Sequence, residues 1–550
     1  MATGIIETAL TGLFASQRSL GTASHNIANV NTEGYSRQRV ELSARPPQYT
    51  GAGYIGQGVN IANITRSYDQ FINEQLNSST SAFAESEYLA AMASQVDTVV
   101  GSNDSDLAAT LKSFFSAAND VANDPTSIPA RQVMVGQAES LTQQFNGMAS
   151  SFDSLRNQTN KQMQATLDEI NSYAQSIAEL NVKITAEFGR TSGMQMPNDL
   201  LDQRDALLTK IAEKINVSVL NMDDGSVSLI IGKGQALVSG TNAAALSLAG
   251  SAFDESYKEI VINGQTITQS ITGGELSGAL KFRDQVLDPA QRQLGVLAAG
   301  LSLQFNAIHN GGFDLTGAPG TDFFAMGGTG LSVPVTVNPN LPGGGGITAS
   351  YDPNNTVNLN PSDYRLDYDG SNYTLTRLSD KQTINIAGFP GSSVNVEGMT
   401  ISLATPPTGV SSFLIRPVFK AAENLRVNIS NPEEIAAAGN GLSVPGDNTN
   451  ALKLANLEQQ SILSGGRSTL SSAYGQLVGQ VGTITQSAKT SQSAQQVLLN
   501  QAKQTRENLA GVNLDEEAAN LIKFQNAYQA AAKAITVANT LFDTIIGAIR

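Results

Sequence analysis

Two histidines, one GxGxxG run and a pair of aspartates on one predicted helix are the residues here whose types and spacing suit chemistry. His25 follows Ser24, but a catalytic pair is made by geometry in space, and adjacency in sequence promises none; a polar role at a helix end or interface is expected. His309 lies just before Gly311 near a predicted helix C-terminus, where the helix dipole favours an imidazolium in a structural role. Gly51-Ala52-Gly53-Tyr54-Ile55-Gly56 fits the dinucleotide pattern, yet Pro46-Pro47 precedes it and a period-two strand follows it. The fingerprint needs a strand before and a helix after, so the run reads as a bent loop. Gly232-Lys233-Gly234 lacks the rest of a P-loop and reads as hairpin glycine. Asp202 and Asp205 flank Arg204; carboxylates so close on one helix face are expected to pair with Arg204 or Lys210 rather than to cleave a glycoside. Asp367, Asp369 and Gly370 miss the calcium-loop spacing and read as a β-turn. With no cysteine and no HExxH, transition metals find no ligand set. No catalytic residue, cofactor site or metal site is expected.

The elements that would have to position such residues are more informative. At 550 residues the chain is long enough for about three or four units. Its formal charge of −15 gives no footprint for a phosphate backbone or anionic lipid, so neither nucleic acid nor membrane is expected as a partner. Residues 1 to about 29 read as a helix with Ile6, Leu13, Leu20 and Ile27 seven apart and Leu10 on the same face. At the far end Leu514, Leu521, Tyr528, Ile535, Phe542 and Ile549 hold one heptad position, and Phe524, Ala531, Ala538 and Ile545 lie three residues further on. Glu517 alone breaks this stripe. A helix of roughly 35 residues is about 50 Å long, so each terminus needs a partner helix. On pattern alone, a coiled coil inside one monomer and a seam between molecules are equally good readings, and they are compatible. The Ala-rich outer face of the C-terminal helix suits side-by-side packing in an assembly.

Between the ends, Arg37 to Ile64 reads as loop and strand, and Tyr68 to Ile215 is mostly helical. Breaks fall at Asn123-Asp124-Pro125 and at Gly193 to Pro197, with a restart at Ser127; Asn198 is the expected cap of the next helix. Residues 216–275 alternate as short strands turning at Asp224-Gly225 and Asn263-Gly264. A helix from about Glu275 to Ile308 ends at Gly311-Gly312. The segment 313–430 is rich in Gly, Pro, Asn and Thr, and carries a strand-turn-strand signal from Tyr364 to Leu375. The fold class is mainly α with β-rich inserted domains, a multi-domain α+β chain. Its expected parts are a paired-helix, coiled-coil core from 1–60 and 500–550, a helical rod from 61–312 and 431–499 with a β-hairpin subdomain at 216–275, and an outer β domain at 313–430.

Ser24-His25-Asn26-Ile27-Ala28-Asn29-Val30-Asn31-Thr32-Glu33-Gly34-Tyr35-Ser36-Arg37-Gln38 resembles the N-terminal signature of bacterial flagellar axial proteins: the rod, hook and hook-associated proteins. The Tyr-Ser-Arg-Gln ending is like the hook-associated form. Asn123 to Thr126, Ala130-Arg131-Gln132, Asn198 to Asp205, Gly511 to Leu521, Tyr528 to Lys533 and Leu541 to Thr544 are similar to the same branch, in the same order. Within 313–430 the likeness runs chiefly through Asp363-Tyr364 and Arg377 to Asp380. The resemblance implies a structural protein without catalysis at the junction of hook and filament, with the terminal helices innermost and the middle domains outside. It implies as partners other copies of itself in a helical assembly, the hook protein, the next hook-associated junction protein, and an export chaperone on the C-terminal helix. It also implies an extracellular place in the flagellum. Export would be of the type III kind, which agrees with an N-terminus that does not read as a cleavable signal.

The assembly interface is expected at Ile6, Leu10, Leu13, Leu20, Ile27, Leu514, Leu521, Phe524, Tyr528, Ile535, Phe542, Ile545 and Ile549. Before assembly these ends are expected to be largely disordered or chaperone-held, since ordering costs about 1–2 kcal/mol of backbone entropy per residue. The glycine-dense loop from Arg45 to Gly58 is expected to accommodate different neighbours on the two sides. Another axial protein, hook or distal rod, shares the N-terminal signature, but the long helical region and Asn198 to Asp205 favour the junction protein. A secreted adhesin would explain the Gly/Asn-rich insert and leave the terminal heptads unexplained.

Overall fold

The computed structural model describes residues 2–49, 51, 53–102, 107–191, 195–327 and 331–549. Ala52, part of the GxGxxG run, and Gly193 and Met194, in the expected break, lie outside the described residues. Among the described residues ten α-helices carry the architecture: α1 (Ala2–Ala28), α2 (Gln70–Gly101), α3 (Leu107–Asn123), α4 (Ile128–Arg190), α5 (Asn198–Lys214), α6 (Gly274–Phe282), α7 (Asp288–His309), α8 (Thr449–Asn456), α9 (Leu470–Ala510) and α10 (Leu514–Ile549).

α4 is the longest at 63 residues, about 95 Å at 1.5 Å per residue. It starts where Pro125 forbids continuation of α3. Ser127 caps it by accepting from the Ala130 amide, with Pro129 in its first turn, where a missing N–H costs nothing. Its inner face repeats Met134, Ala138, Leu141, Phe145, Met148 and Phe152, all buried. Against it pack Phe305 of α7 and Phe114, Phe115, Phe323 and Phe324, with ring centroids 4.8–5.7 Å apart in the tilted pairs Phe114–Phe305 and Phe305–Phe323 and the edge-on pairs Phe323–Phe324 and Phe114–Phe324. α2 pairs with α9; Tyr474 donates to Val100 O at 2.7 Å and Thr485 to Ala93 O at 3.2 Å.

The region 216–275 is more than a hairpin. Val217–Asn221, Val227–Ile231, Gln235–Ser239 and Asn242–Ala243 form a four-stranded antiparallel meander, and Leu246–Gly250, Lys258–Ile262 and Gln265–Thr266 form a second sheet. Both pack on the second half of α4 and on α5 and α6. The outer insert holds a four-stranded and a five-stranded sheet, the latter in the order Val335–Val337, Ser411–Ile415, Tyr364–Tyr368, Tyr373–Arg377, Gln382–Ile384. The expected turn at Asp369-Gly370 joins the third and fourth of these strands. Phe324–Ala325 pairs with Arg426–Val427 to close the neck of the insert.

Two local readings are corrected. Asn198 does not cap α5: Pro197 holds the cap position, and Asn198 Nδ2 donates instead to Ile64 O at 2.8 Å, so its side chain ties α5 to a strand. His309 is not an imidazolium at an open helix end. It is fully buried, Ala436 N donates to Nε2 at 2.9 Å, and Nδ1 contacts Thr321 O at 2.5 Å, which fixes a neutral ring protonated on Nδ1. Burial holds its pKa below the ordinary value. The unfolded chain therefore takes up the proton first, so His309 stabilises the fold above the ordinary imidazole pKa, and this is lost as the pH falls towards the lowered one. Urea midpoints should drop between pH 7.5 and 5.5, and a His309→Asn variant should lose that dependence while starting from a lower midpoint.

Candidate assembly surface

α1 and α10 pair along their length, with Asn26 near the end of α1 meeting Glu517 near the start of α10, so the two run antiparallel. What lies in their seam on the α1 side is small: Ala15, Ser19, Thr22, Ala23 and Asn26 are buried at spacings of four, three, one and three. On α10 the buried positions are Glu517 and Ala538, with Leu521, Phe524, Ala531 and Ile535 half-buried between them. Small side chains let two helix axes approach closely, and the distance between axes follows the residues at the contact.

Ile6, Leu13, Leu20 and Ile27 flank the seam half-buried, and Leu10, Leu514 and Tyr528 are exposed. Phe542 is 43% and Ile545 52% exposed; the side chain of Ile549 lies outside the described ones. Ile5, Phe14, Ile522, Val537, Leu541 and Ile546 are also exposed, Phe14 at 54%. A helix of 27 residues spans about 40 Å and one of 36 about 54 Å, so the last turns of α10 run past Ala2 and have no partner helix among the described residues. Exposed apolar side chains gathered on two paired helices suit a contact surface.

The signature residues fasten this pair to the body. Asn26 Oδ1 accepts from Tyr35 Oη at 2.7 Å and from the Gln38 amide at 3.0 Å, while its Nδ2 donates to Gln38 O at 2.9 Å and to Glu517 Oε2 at 3.2 Å. Glu517, read from sequence as an interruption of the stripe, is only 2% exposed, because its other oxygen takes Arg37 Nε at 2.7 Å. Arg37 also reaches Glu516 at 2.7 Å and donates its backbone N–H to Ala510 O at 2.8 Å, bridging the turn between α9 and α10. Gly34 is at φ +81° with a Cβ position 2.9 Å from Ala206 Cβ, so only glycine lets this turn lie on α5. Burial and the carboxylates Asp199 and Asp202 push the Tyr35 phenol well above its ordinary value, so it stays a donor.

The two aspartates of α5 do not pair with Arg204 or Lys210. Asp202 Oδ1 and Asp205 Oδ2 both accept from Arg66 Nη1, at 2.8 and 2.5 Å, and Asp202 Oδ2 takes the Ser36 amide at 3.0 Å. Arg204 turns away and donates to Gly225 O at 2.8 Å. Arg66 ends the strand Val59–Arg66, which pairs with Gln38–Ala44 in a two-stranded ribbon alongside α1. Burial raises the Asp205 pKa in spite of Arg66. His25 lies 3.4 Å from Asp199 and edge-on to Tyr35, an interface position. Partners in Arg37, Glu517, Arg66 and Asp202 are 136 to 480 residues apart in sequence, so no local signal pointed to them. Gly51 and Gly53 lie in a loop between the two-residue strands Gln48–Tyr49 and Tyr54–Ile55, with no helix after them. Among the described residues no group of three or more His, Asp or Glu is placed to hold a metal, and no helix is long and apolar enough to cross a membrane.

Four family models match in the order of these elements. Residues 6–35 match the flagella basal body rod protein model and 503–548 the flagellar basal body rod FlgEFG protein C-terminal model. Residues 93–324 match the flagellar hook-associated protein FlgK helical domain, and 340–417 the flagellar hook-associated protein 1 D2-like domain. The flagellar hook junction protein FlgK of Burkholderia pseudomallei superposes with a TM-score of 0.71 at 25% identity, over 80% of this chain and all of that one. The flagellar hook-associated protein 1 of Bacillus subtilis is 25% identical over 98% of this chain and 97% of its own. That of Escherichia coli K12 is 31% identical over 98% of this chain and 99% of its own. On this full-length match, together with the helical-domain model and the superposed fold, the chain belongs to the flagellar hook-associated protein 1 family.

Proposed function

We propose that this chain is a structural subunit of the hook–filament junction, assembling through a core made of residues 1–60 and 500–550. In this reading 61–312 and 431–499 form the rod outside that core, and 313–430 the outermost β domain. The observation that carries it is the split along α1 and α10: Ala15, Ala23 and Ala538 are buried within the chain, with Leu521, Phe524 and Ile535 half-buried beside them, and Phe14, Phe542 and Ile545 are left facing out. Those side chains want apolar neighbours, and copies of the same chain around a common axis would supply them. The hook protein on one side and the next hook-associated protein on the other would meet the ends of that assembly. Before incorporation an export chaperone would cover the overhanging turns of α10, and type III export would carry the chain to its place in the flagellum outside the cell. Deleting residues 514–550 tests this. The shortened chain should remain a folded monomer by circular dichroism and light scattering and fail to join hook-capped basal bodies; incorporation at the level of the full chain would defeat the reading.

A further inference from the structure

Among the described residues two large hydrophobic clusters make up most of the core of the body, and the boundary between them crosses continuous helices. Along α4 the first core ends at Leu155 and the second begins at Met163; along the run from α6 to α7 the change falls between Leu280 and Phe282. The second core holds the middle sheets, and the first holds the phenylalanine cluster and the outer insert.

Charge fills the interval. Arg156 Nη2 lies 2.7 Å from Asp288 Oδ1 and donates to Gln291 Oε1 at 2.6 Å. Arg283 is buried over the Tyr257 ring at 3.9 Å and donates to Asp284 Oδ1 at 2.9 Å and Lys258 O at 2.6 Å. Arg416, at the root of the outer strand Ser411–Ile415, stacks on Phe419 at 3.4 Å and crosses to Asp254 Oδ2 of the middle sheets at 2.6 Å. Asp363 Oδ2 sits 3.4 Å from Arg416 Nε.

In this layer Arg156 Nε, Arg283 Nη2 and Asp363 Oδ1 are buried with no protein hydrogen-bond partner among the described residues. A partly satisfied polar network holds less well than the apolar cores on either side, so opening costs least there. At the same level the helical run between α6 and α7 is wound as a π-turn over Arg283–Leu287, with the Asp288 amide donating to Arg283 O five residues back. A π-turn carries one extra residue in the ladder and is a recognised site of helix bending.

We infer that this polar layer is a flexure joint of the single subunit: the two cores rock about it, with the π-turn as the compliant element and the Arg416–Asp254 ion pair as the strut that limits the motion. The inference goes beyond assembly through the terminal helices, and it is tested on the unassembled full-length chain. The absence of cysteine allows clean spin labelling. One label pair, at Lys233→Cys and Ser371→Cys, reports across the joint, and a control pair at Lys112→Cys and Ser371→Cys stays on one side of it. Pulsed dipolar spectroscopy should give a broader distance distribution for the first pair than for the control. Arg416→Ala should broaden it further, and deletion of the exposed Gln285, which returns the π-turn to α-helix, should narrow it. A first-pair width no greater than the control overturns the joint, as does a width that neither variant changes. Circular dichroism checks that each variant folds, and if Arg416→Ala does not, the Gln285 deletion and the wild-type comparison decide the question alone.

Discussion

Replacing Phe542 and Ile545 together with Asp is expected to abolish incorporation into the flagellum while leaving the fold of the chain intact. Both side chains stand on the overhanging turns of α10 and are more than two-fifths exposed, so their removal touches no core. Surface changes of this kind alter stability by about 0.5 kcal/mol or less. In the proposed assembly the same two positions would be buried, and each unpaired carboxylate would then cost several kcal/mol or have to take up a proton. Weakening beyond ~100-fold, about 2.7 kcal/mol, follows from even part of that penalty. Complementation of a strain lacking the chain, with thermal unfolding of the purified variant beside it, separates the two effects. A motile complemented strain would place the assembly contact elsewhere.

Arg66→Ala is expected to be the most damaging single change near the signature. The Arg66 side chain is 9% exposed and is the shared partner of Asp202 and Asp205, which lie at 7% and 16%. Its loss leaves two buried carboxylates facing each other, and breaking a buried pair from one side costs about 3–5 kcal/mol. The cost depends on pH in a defined direction. Asp205 already has its folded pKa raised by burial, and without the guanidinium the rise is larger. A raised carboxyl contributes stability that is fully present below the ordinary aspartate value and is lost as the pH rises through the folded one. The deficit of the variant, measured by urea unfolding, should therefore be larger at pH 7 than at pH 4. Limited proteolysis should cut faster around residues 60–70, because Arg66 anchors the ribbon that carries α1. Equal deficits at both pH values would mean that the carboxylates are relieved by water or by Arg204.

The order helix, β insert, helix was legible because it rests on local signals. Heptad spacing in α1 and α10, the proline at 125 with Ser127 after it, and the Asp369-Gly370 turn each act within a few residues, and each element forms where it was expected. The absence of thiols and of any HExxH pattern is likewise a property of composition. Where the reading went astray, a local rule met a distant partner. Glu517 looked like a flaw in an apolar stripe because its neighbours are apolar, but Arg37 and Asn26 lie 480 and 491 residues away. Asn198 is a good cap residue by type, yet a carbonyl on another strand competes for it.

By itself, then, the sequence determined that two long amphipathic helices at the ends flank β-rich insertions. Only the tertiary structure decided which face of each terminal helix turns inward. A heptad shows that a helix has an apolar stripe, but not whether that stripe or the small residues beside it meets the partner. In the α1–α10 pair Ala15, Ala23 and Ala538 are buried beside the half-buried Leu521, Phe524 and Ile535, while Leu10, Phe14, Phe542 and Ile545 stay exposed. The charge state of His309 and the pairing of Arg66 were decided in the same way, by burial and by groups remote in sequence, since desolvation and ion pairing depend on what surrounds an atom in space.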